Sequence, residues 1–91
     1  MELTGKTAFV TGASRGLGAA IATMLADAGC RVAVNYAHSK AEADRTVATI
    51  VTRGGTALPI RCDIADGKAV ELAFRAVAEQ FGPIDILINN A

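Results

Sequence analysis

The sequence lacks tryptophan and has one tyrosine and three phenylalanines among its 91 residues. Its core must therefore come from Ala, Val, Ile and Leu, the mix found where strands are covered by helices on both faces. Two cysteines, Cys30 and Cys62, are too few for a disulfide scaffold and have no CxxC spacing. Both are expected to be reduced thiols at opposite edges of a sheet. No purely aliphatic run exceeds four residues, far short of the ~20 needed to cross a bilayer. The N-terminus enters a strand with no apolar leader ahead of it. No membrane partner is expected, and the cytoplasm is the expected location. Net charge is absent too: nine basic residues balance nine acidic ones, which leaves no long-range field to hold nucleic acid. A chain of this length makes one small domain, residues 1–91, which buries only about 60 to 65% of its unfolded surface and should be marginally stable.

What is present alternates between two periods. Lys6 to Thr11 reads as a buried strand around Ala8-Phe9-Val10, after a Thr4-Gly5 turn. Leu17, Ile21, Met24, Leu25 and Ala28 recur at helical spacing and predict one core-facing stripe, ended by Gly29. Arg31 to Asn35 is a second strand. Ser39 and Glu42 form a capping-box pattern for a second helix with Ala43, Val47, Ile50 and Val51 on one face, stopped at Gly54-Gly55. Thr56 to Arg61 is a third strand, and Pro59 within it predicts a sheet edge because proline cannot donate to the ladder. Asp66 caps a third helix carrying Val70, Ala73, Phe74, Val77 and Phe81, closed by Gly82-Pro83. Asp85 to Asn89 is a fourth strand, apolar on both faces at Ile86-Leu87-Ile88. Right-handed crossovers then give an α/β fold with parallel strand order 3-2-1-4 and three helices, half of a doubly wound sheet. Its fourth strand has a bare edge that needs a cover or a partner.

Between the first strand and its helix stands Thr11-Gly12-Ala13-Ser14-Arg15-Gly16-Leu17-Gly18. Glycine at three of these positions permits a sharp turn and close approach, and the helix start presents free amides, so the segment suits a phosphate.

Together with Cys62-Asp63-Ile64 and Asn89-Asn90-Ala91, this segment resembles the short-chain dehydrogenase/reductase family across the whole chain. The resemblance implies a Rossmann-type half-domain that binds NADP(H). Gly12, Gly16 and Gly18 would form the phosphate loop, with the Leu17 amide on the pyrophosphate and Thr11 bonding within the turn. No acidic residue follows the second strand, where Asn35, Tyr36, Ala37, His38 and Ser39 stand instead. Arg15, with the hydroxyls of Ser14 and Ser39, would meet the 2′-phosphate. Asp63 would accept from the adenine amino group and Ile64 would give a backbone contact beside the ring. Asn89, Asn90 and Ala91 match a family stretch that braces the sheet and passes the nicotinamide ribose. Each residue also has a plainer reading: a tight turn for the glycines, a solvated charge for Arg15, a loop histidine for His38, a helix cap for Ser39, a turn aspartate for Asp63, a structural amide for Asn90.

The family's chemistry is hydride transfer, with a tyrosine as acid/base, a lysine that lowers its pKa and a serine that polarises the carbonyl. No matching residues occur here, since Tyr36 is the sole tyrosine and falls in the adenosine half. The expectation is a dinucleotide-binding N-terminal half, inactive alone, of a reductase that turns a carbonyl into an alcohol. Asn35 to Asp44 is similar to the same stretch in 3-oxoacyl thioester reductases. The small-molecule substrate would need the C-terminal half, and the resemblance implies a homo-oligomer whose helices would also lie in that half. Two alternatives stay open: a stand-alone nucleotide-binding module, and an interaction protein that pairs through the edge of the fourth strand.

Overall fold

The computed structural model describes residues 2–90. Their elements run β1 (Thr7–Val10), α1 (Gly16–Asp27), β2 (Arg31–Tyr36), α2 (Lys40–Thr52), β3 (Thr56–Arg61), α3 (Gly67–Phe81) and β4 (Ile86–Ile88). The sheet is parallel throughout, in the order β3-β2-β1-β4. Alternation along β1 and β2 divides the core in two. Ala8, Val10, Val32 and Val34 meet Ala22 and Leu25 of α1 and Ala43 and Ile50 of α2. On the other face Phe9 and Ala33 meet Ala73 and Val77 of α3, where the Phe9 and Phe74 ring centroids lie 4.7 Å apart.

Pro59 stands opposite Val34 on the outermost strand, where one side of the ladder is unused. Cys30 and Cys62 are free and buried in separate core clusters on opposite faces. Burial pushes both thiols above their ordinary pKa, with Asp85 adding to the rise at Cys30 and Asp63 and Asp66 adding to it at Cys62. These are inert core thiols.

Two expected faces are rotated. On α1, Leu17 is 70% and Met24 56% exposed, and the buried face is Gly18, Ala22, Leu25 and Ala26. Small residues turn inward because α1 lies close against the loop after β1, leaving no room for a long side chain at position 18. On α2, Val51 is exposed and Thr46 is buried in its stead. That burial is tolerable because the Thr46 hydroxyl faces two carbonyl oxygens, of Ser14 at 3.0 Å and of Glu42 at 3.3 Å. The α3 face follows the expected pattern. Strand β4 pairs with β1 alone among the described strands, so its outer edge is bare as the strand order implies, and Leu87 is half exposed.

Candidate functional site

The C-terminal ends of the strands gather the residues selected from the sequence. Leaving β1, the Thr11 amide donates to Ile88 O at 2.9 Å, the Ala13 amide to Asn35 O at 2.9 Å and the Gly12 amide to Asn35 Oδ1 at 3.3 Å. The Asn35 side chain is buried and also donates to Ile60 O and Cys62 O, at 3.3 and 3.2 Å. One amide thus ties the loop after β1 to the end of β3. From the opposite side the Thr11 hydroxyl accepts from the Asn90 amide at 2.9 Å, while Asn90 Nδ2 donates to Gly12 O at 3.2 Å. The Thr11 hydroxyl also lies 3.3 Å from Ile88 O and from Asn89 Oδ1. Thr11 and Asn90 therefore brace the turn.

Gly12 and Gly16 have φ of 61° and 60°, a region that side chains disfavour. At Gly18 the constraint is space, since a Cβ there would lie 2.2 Å from Gly12 O and 2.7 Å from Asn90 Nδ2. Helix α1 begins after Arg15, whose backbone is extended (φ −158°, ψ 174°), with no side-chain cap and no acidic residue in its first turn. Its first intrahelical donor is the Ala19 amide, 3.3 Å from Arg15 O. The amides of Gly16, Leu17 and Gly18 have no acceptor among the described residues. Three donors at the positive end of a helix dipole, reached over glycine, fit a phosphate. A dinucleotide's pyrophosphate is compatible with this cradle.

Toward α2, Arg15 reaches outward with its side chain 80% exposed, and its Nε stands 4.0 Å from Glu42 Oε2. Ser39 Oγ accepts from the Glu42 amide at 3.2 Å, so this hydroxyl caps α2. Thr46 holds the carbonyl of Ser14, and the loop is thereby fastened to α2. Ser14 and Ala37 are half-buried, His38 is exposed and Tyr36 is buried. Sequence reasoning gave Glu42 only a capping role and missed Thr46, although a threonine between Ala43 and Ile50 at helical spacing was its signal.

Beyond β3, exposed Asp63 accepts from the Ala65 amide at 2.9 Å through Oδ1, the geometry of a turn aspartate. Ile64 and Asn89, with Phe9, Thr11, Val70, Phe74 and Leu87, line a mainly apolar hollow of about 180 Å³. Ala91 lies outside the described residues. A larger groove of about 570 Å³ runs between α1 and α2, and only its rim at Ser14, Arg15, Glu42 and Thr46 adjoins the loop. The uncapped amides, not the larger groove, mark the candidate site, because they are consecutive free donors at a helix N-terminus. No helix among the described residues is long and apolar enough to cross a membrane.

Comparison with known proteins agrees with this geometry. The family model described as short chain dehydrogenase matches residues 6–91. An uncharacterized oxidoreductase of Methylorubrum extorquens is 47% identical over 90 residues, 99% of this chain and 36% of its own length. The 3-oxoacyl-[acyl-carrier-protein] reductase of Staphylococcus aureus is 46% identical over all 91 residues and 37% of its own length. Among solved structures, a dehydrogenase/reductase from Sinorhizobium meliloti superposes with a TM-score of 0.96 at 49% identity, over 99% of this chain and 36% of that one. A short chain dehydrogenase from Burkholderia cenocepacia in complex with NADP gives 0.93 at 50% identity, over 100% of this chain and 37% of that one. The chain spans little more than a third of the length of these relatives.

Proposed function

The chain belongs to the short-chain dehydrogenase family, and on that premise we propose that it is the NADP(H)-binding part of an oxidoreductase that reduces a carbonyl to an alcohol. The observation that carries the reading is the start of α1. The amides of Gly16, Leu17 and Gly18 have no acceptor among the described residues, and Gly18 packs so closely on Gly12 O that an added Cβ would lie 2.2 Å from it. These amides hold the pyrophosphate. Arg15 and the Ser14 hydroxyl, in the loop after β1, take the 2′-phosphate, and in the stretch after β2 no carboxylate stands between Asn35 and Lys40 to claim a ribose hydroxyl. Likeness to a relative named as a 3-oxoacyl-[acyl-carrier-protein] reductase, and to a structure in complex with NADP, supports both the cofactor and the reaction.

The bound nicotinamide supplies the hydride. The residues of this chain bind and orient: Asn35 of β2, Thr46 of α2 and Asn90 beyond β4 hold the loop, while Asp63 and Ile64 border the adenine side. No group here serves as the acid/base, because the single tyrosine, Tyr36, is buried at the end of β2. These 91 residues therefore bind the dinucleotide without transferring hydride, and the carbonyl substrate meets residues of a C-terminal half. The cytoplasm is the working compartment, consistent with two free thiols.

Titration with NADPH and NADH, followed by nicotinamide fluorescence, tests this. NADPH should bind more tightly, and Arg15→Ala should weaken NADPH about tenfold while leaving NADH nearly unchanged, the loss of one charge-assisted contact. Absence of binding by either dinucleotide, or NADPH oxidation by the 91 residues with a carbonyl substrate, would refute it. A second reading rests on β4, whose outer edge is unpaired among the described residues and whose Leu87 is half exposed. Self-association through that edge predicts a concentration-dependent dimer in sedimentation, with no dependence on NADPH.

A further inference from the structure

Glu42 stands where the proposed site should have no carboxylate. It lies in the first turn of α2, its side chain 27% exposed, with Oε2 4.0 Å from Arg15 Nε. No other partner of that carboxylate occurs among the described residues. Its place is fixed from two directions. Ser39 Oγ holds its backbone amide, and the Thr46 hydroxyl spans its carbonyl and that of Ser14, clamping the first turn of α2 to the phosphate loop.

We propose that Glu42 is a specificity-determining residue that competes with the cofactor's 2′-phosphate for Arg15 and so limits the preference for NADP(H) over NAD(H). The inference rests on the site reading given above. A phosphate gripped by Arg15 must share that guanidinium with a carboxylate already beside it, and any anion there lies well inside the ~8–10 Å Debye length from Glu42. Repulsion between two anions has a fixed sign. The opposite role, Glu42 orienting Arg15 for the phosphate, is the weaker one. A guanidinium that is 80% exposed and met by one carboxylate oxygen at 4.0 Å is barely restrained. A ribose with a free 2′-hydroxyl carries no charge there, so Glu42 leaves NAD(H) affinity unchanged.

The test is titration of the wild type, Glu42→Gln and Arg15→Ala with NADPH and NADH at low and high salt. Glu42→Gln keeps the shape of the side chain, and the cap at Ser39 uses only the backbone amide, so the fold is retained; Glu42→Ala serves as a second variant. Both Glu42 variants should tighten NADPH by about three- to tenfold and move NADH by less than about twofold, and the gain should shrink in 0.5 M salt, as expected for a partly exposed charge. Unchanged or weaker NADPH binding, or equal tightening of NADH, overturns the inference. If Arg15→Ala weakens NADPH while neither Glu42 variant tightens it, only this inference falls. If wild type binds neither dinucleotide, or Arg15→Ala leaves NADPH unaffected, the site reading falls first.

Discussion

The three helices begin in two different ways. Helix α2 opens on Ser39, whose hydroxyl accepts from the Glu42 amide, and α3 opens on Asp66, whose carboxylate accepts from the Lys68 and Ala69 amides at 3.0 and 3.2 Å. Helix α1 opens on an extended arginine with no cap at all. A missing cap typically forgoes about 1 kcal/mol. The uncapped start is nonetheless preceded by a braced loop, tied by Asn35 from β2, Thr46 from α2 and Asn90 from beyond β4. Firm bracing around unmet donors is what a binding site needs, because the acceptor then comes from the ligand and no reorganisation is required. Capped helices complete themselves; on the proposed reading this one is completed by an anion.

The largest way to break the contrast is Gly18→Val. Its Cβ would fall 2.2 Å from Gly12 O, a backbone atom that cannot swing aside. Separating α1 from the loop should cost about 3 kcal/mol, the upper end for overpacking, and should abolish NADPH binding. Urea unfolding and dinucleotide titration check both. Next in size is Arg15→Asp, which gives α1 the cap it lacks. Folding should gain about 1 kcal/mol because the new carboxylate meets the free amides at the positive end of the dipole. NADPH affinity should fall by about a hundredfold, as the same amides are occupied and their charge is reversed for an incoming phosphate. A variant that gained stability yet kept its affinity would show that the amides are not the phosphate site. Smaller again is Asp66→Ala, which removes a cap from a helix that supplies none of the proposed phosphate contacts. It should cost about 1 kcal/mol in urea unfolding and leave NADPH affinity as it was.

Most of this contrast was legible in the sequence. Ser39 and Asp66 announce their caps by residue type and spacing, and the absence of Ser, Thr, Asp or Asn at position 15 is equally plain. Strand order followed from right-handed crossovers and from Pro59, since local rules and handedness act on the chain alone. The rotation of α1 was not legible. Leu17 and Met24 form a fair apolar stripe by spacing, and only the approach of the Gly12 carbonyl, a contact made across the fold, selects the Gly18 and Ala22 side instead. Asn35 shows the same limit. It was read as part of the cofactor's border, yet its side chain turns inward to join the loop to β3, because a buried amide can satisfy a turn and two carbonyls at once. Tertiary contact decided both, and periodicity carries no information about it.

The far end of the α1 and α2 pair offers the mildest test. There Asp27 of α1 meets the Arg53 guanidinium just past α2 through both carboxylate oxygens, with Arg53 Nε at 3.0 Å from Oδ1. This exposed link joins the C-terminal ends, opposite the braced loop. Hydrogen bonding to Arg53, aided by its charge, holds the Asp27 carboxyl below its ordinary pKa of 3.8 and raises the Arg53 guanidinium. A carboxylate whose pKa is lower folded than unfolded contributes stability above the unfolded value and loses it as the pH falls through the folded one. Wild type should therefore melt slightly above Asp27→Asn at pH 6, and the gap should close as the pH is taken below 3.8. Exposure and salt keep that gap small. Binding of NADPH should not change in the variant, since the link lies at the end of α1 away from Gly16. If Asp27→Asn weakened NADPH as much as it lowered the melting temperature, the two ends of α1 would be coupled. The bracing of the loop would then have to include the whole helix pair, and not the three side chains that touch it.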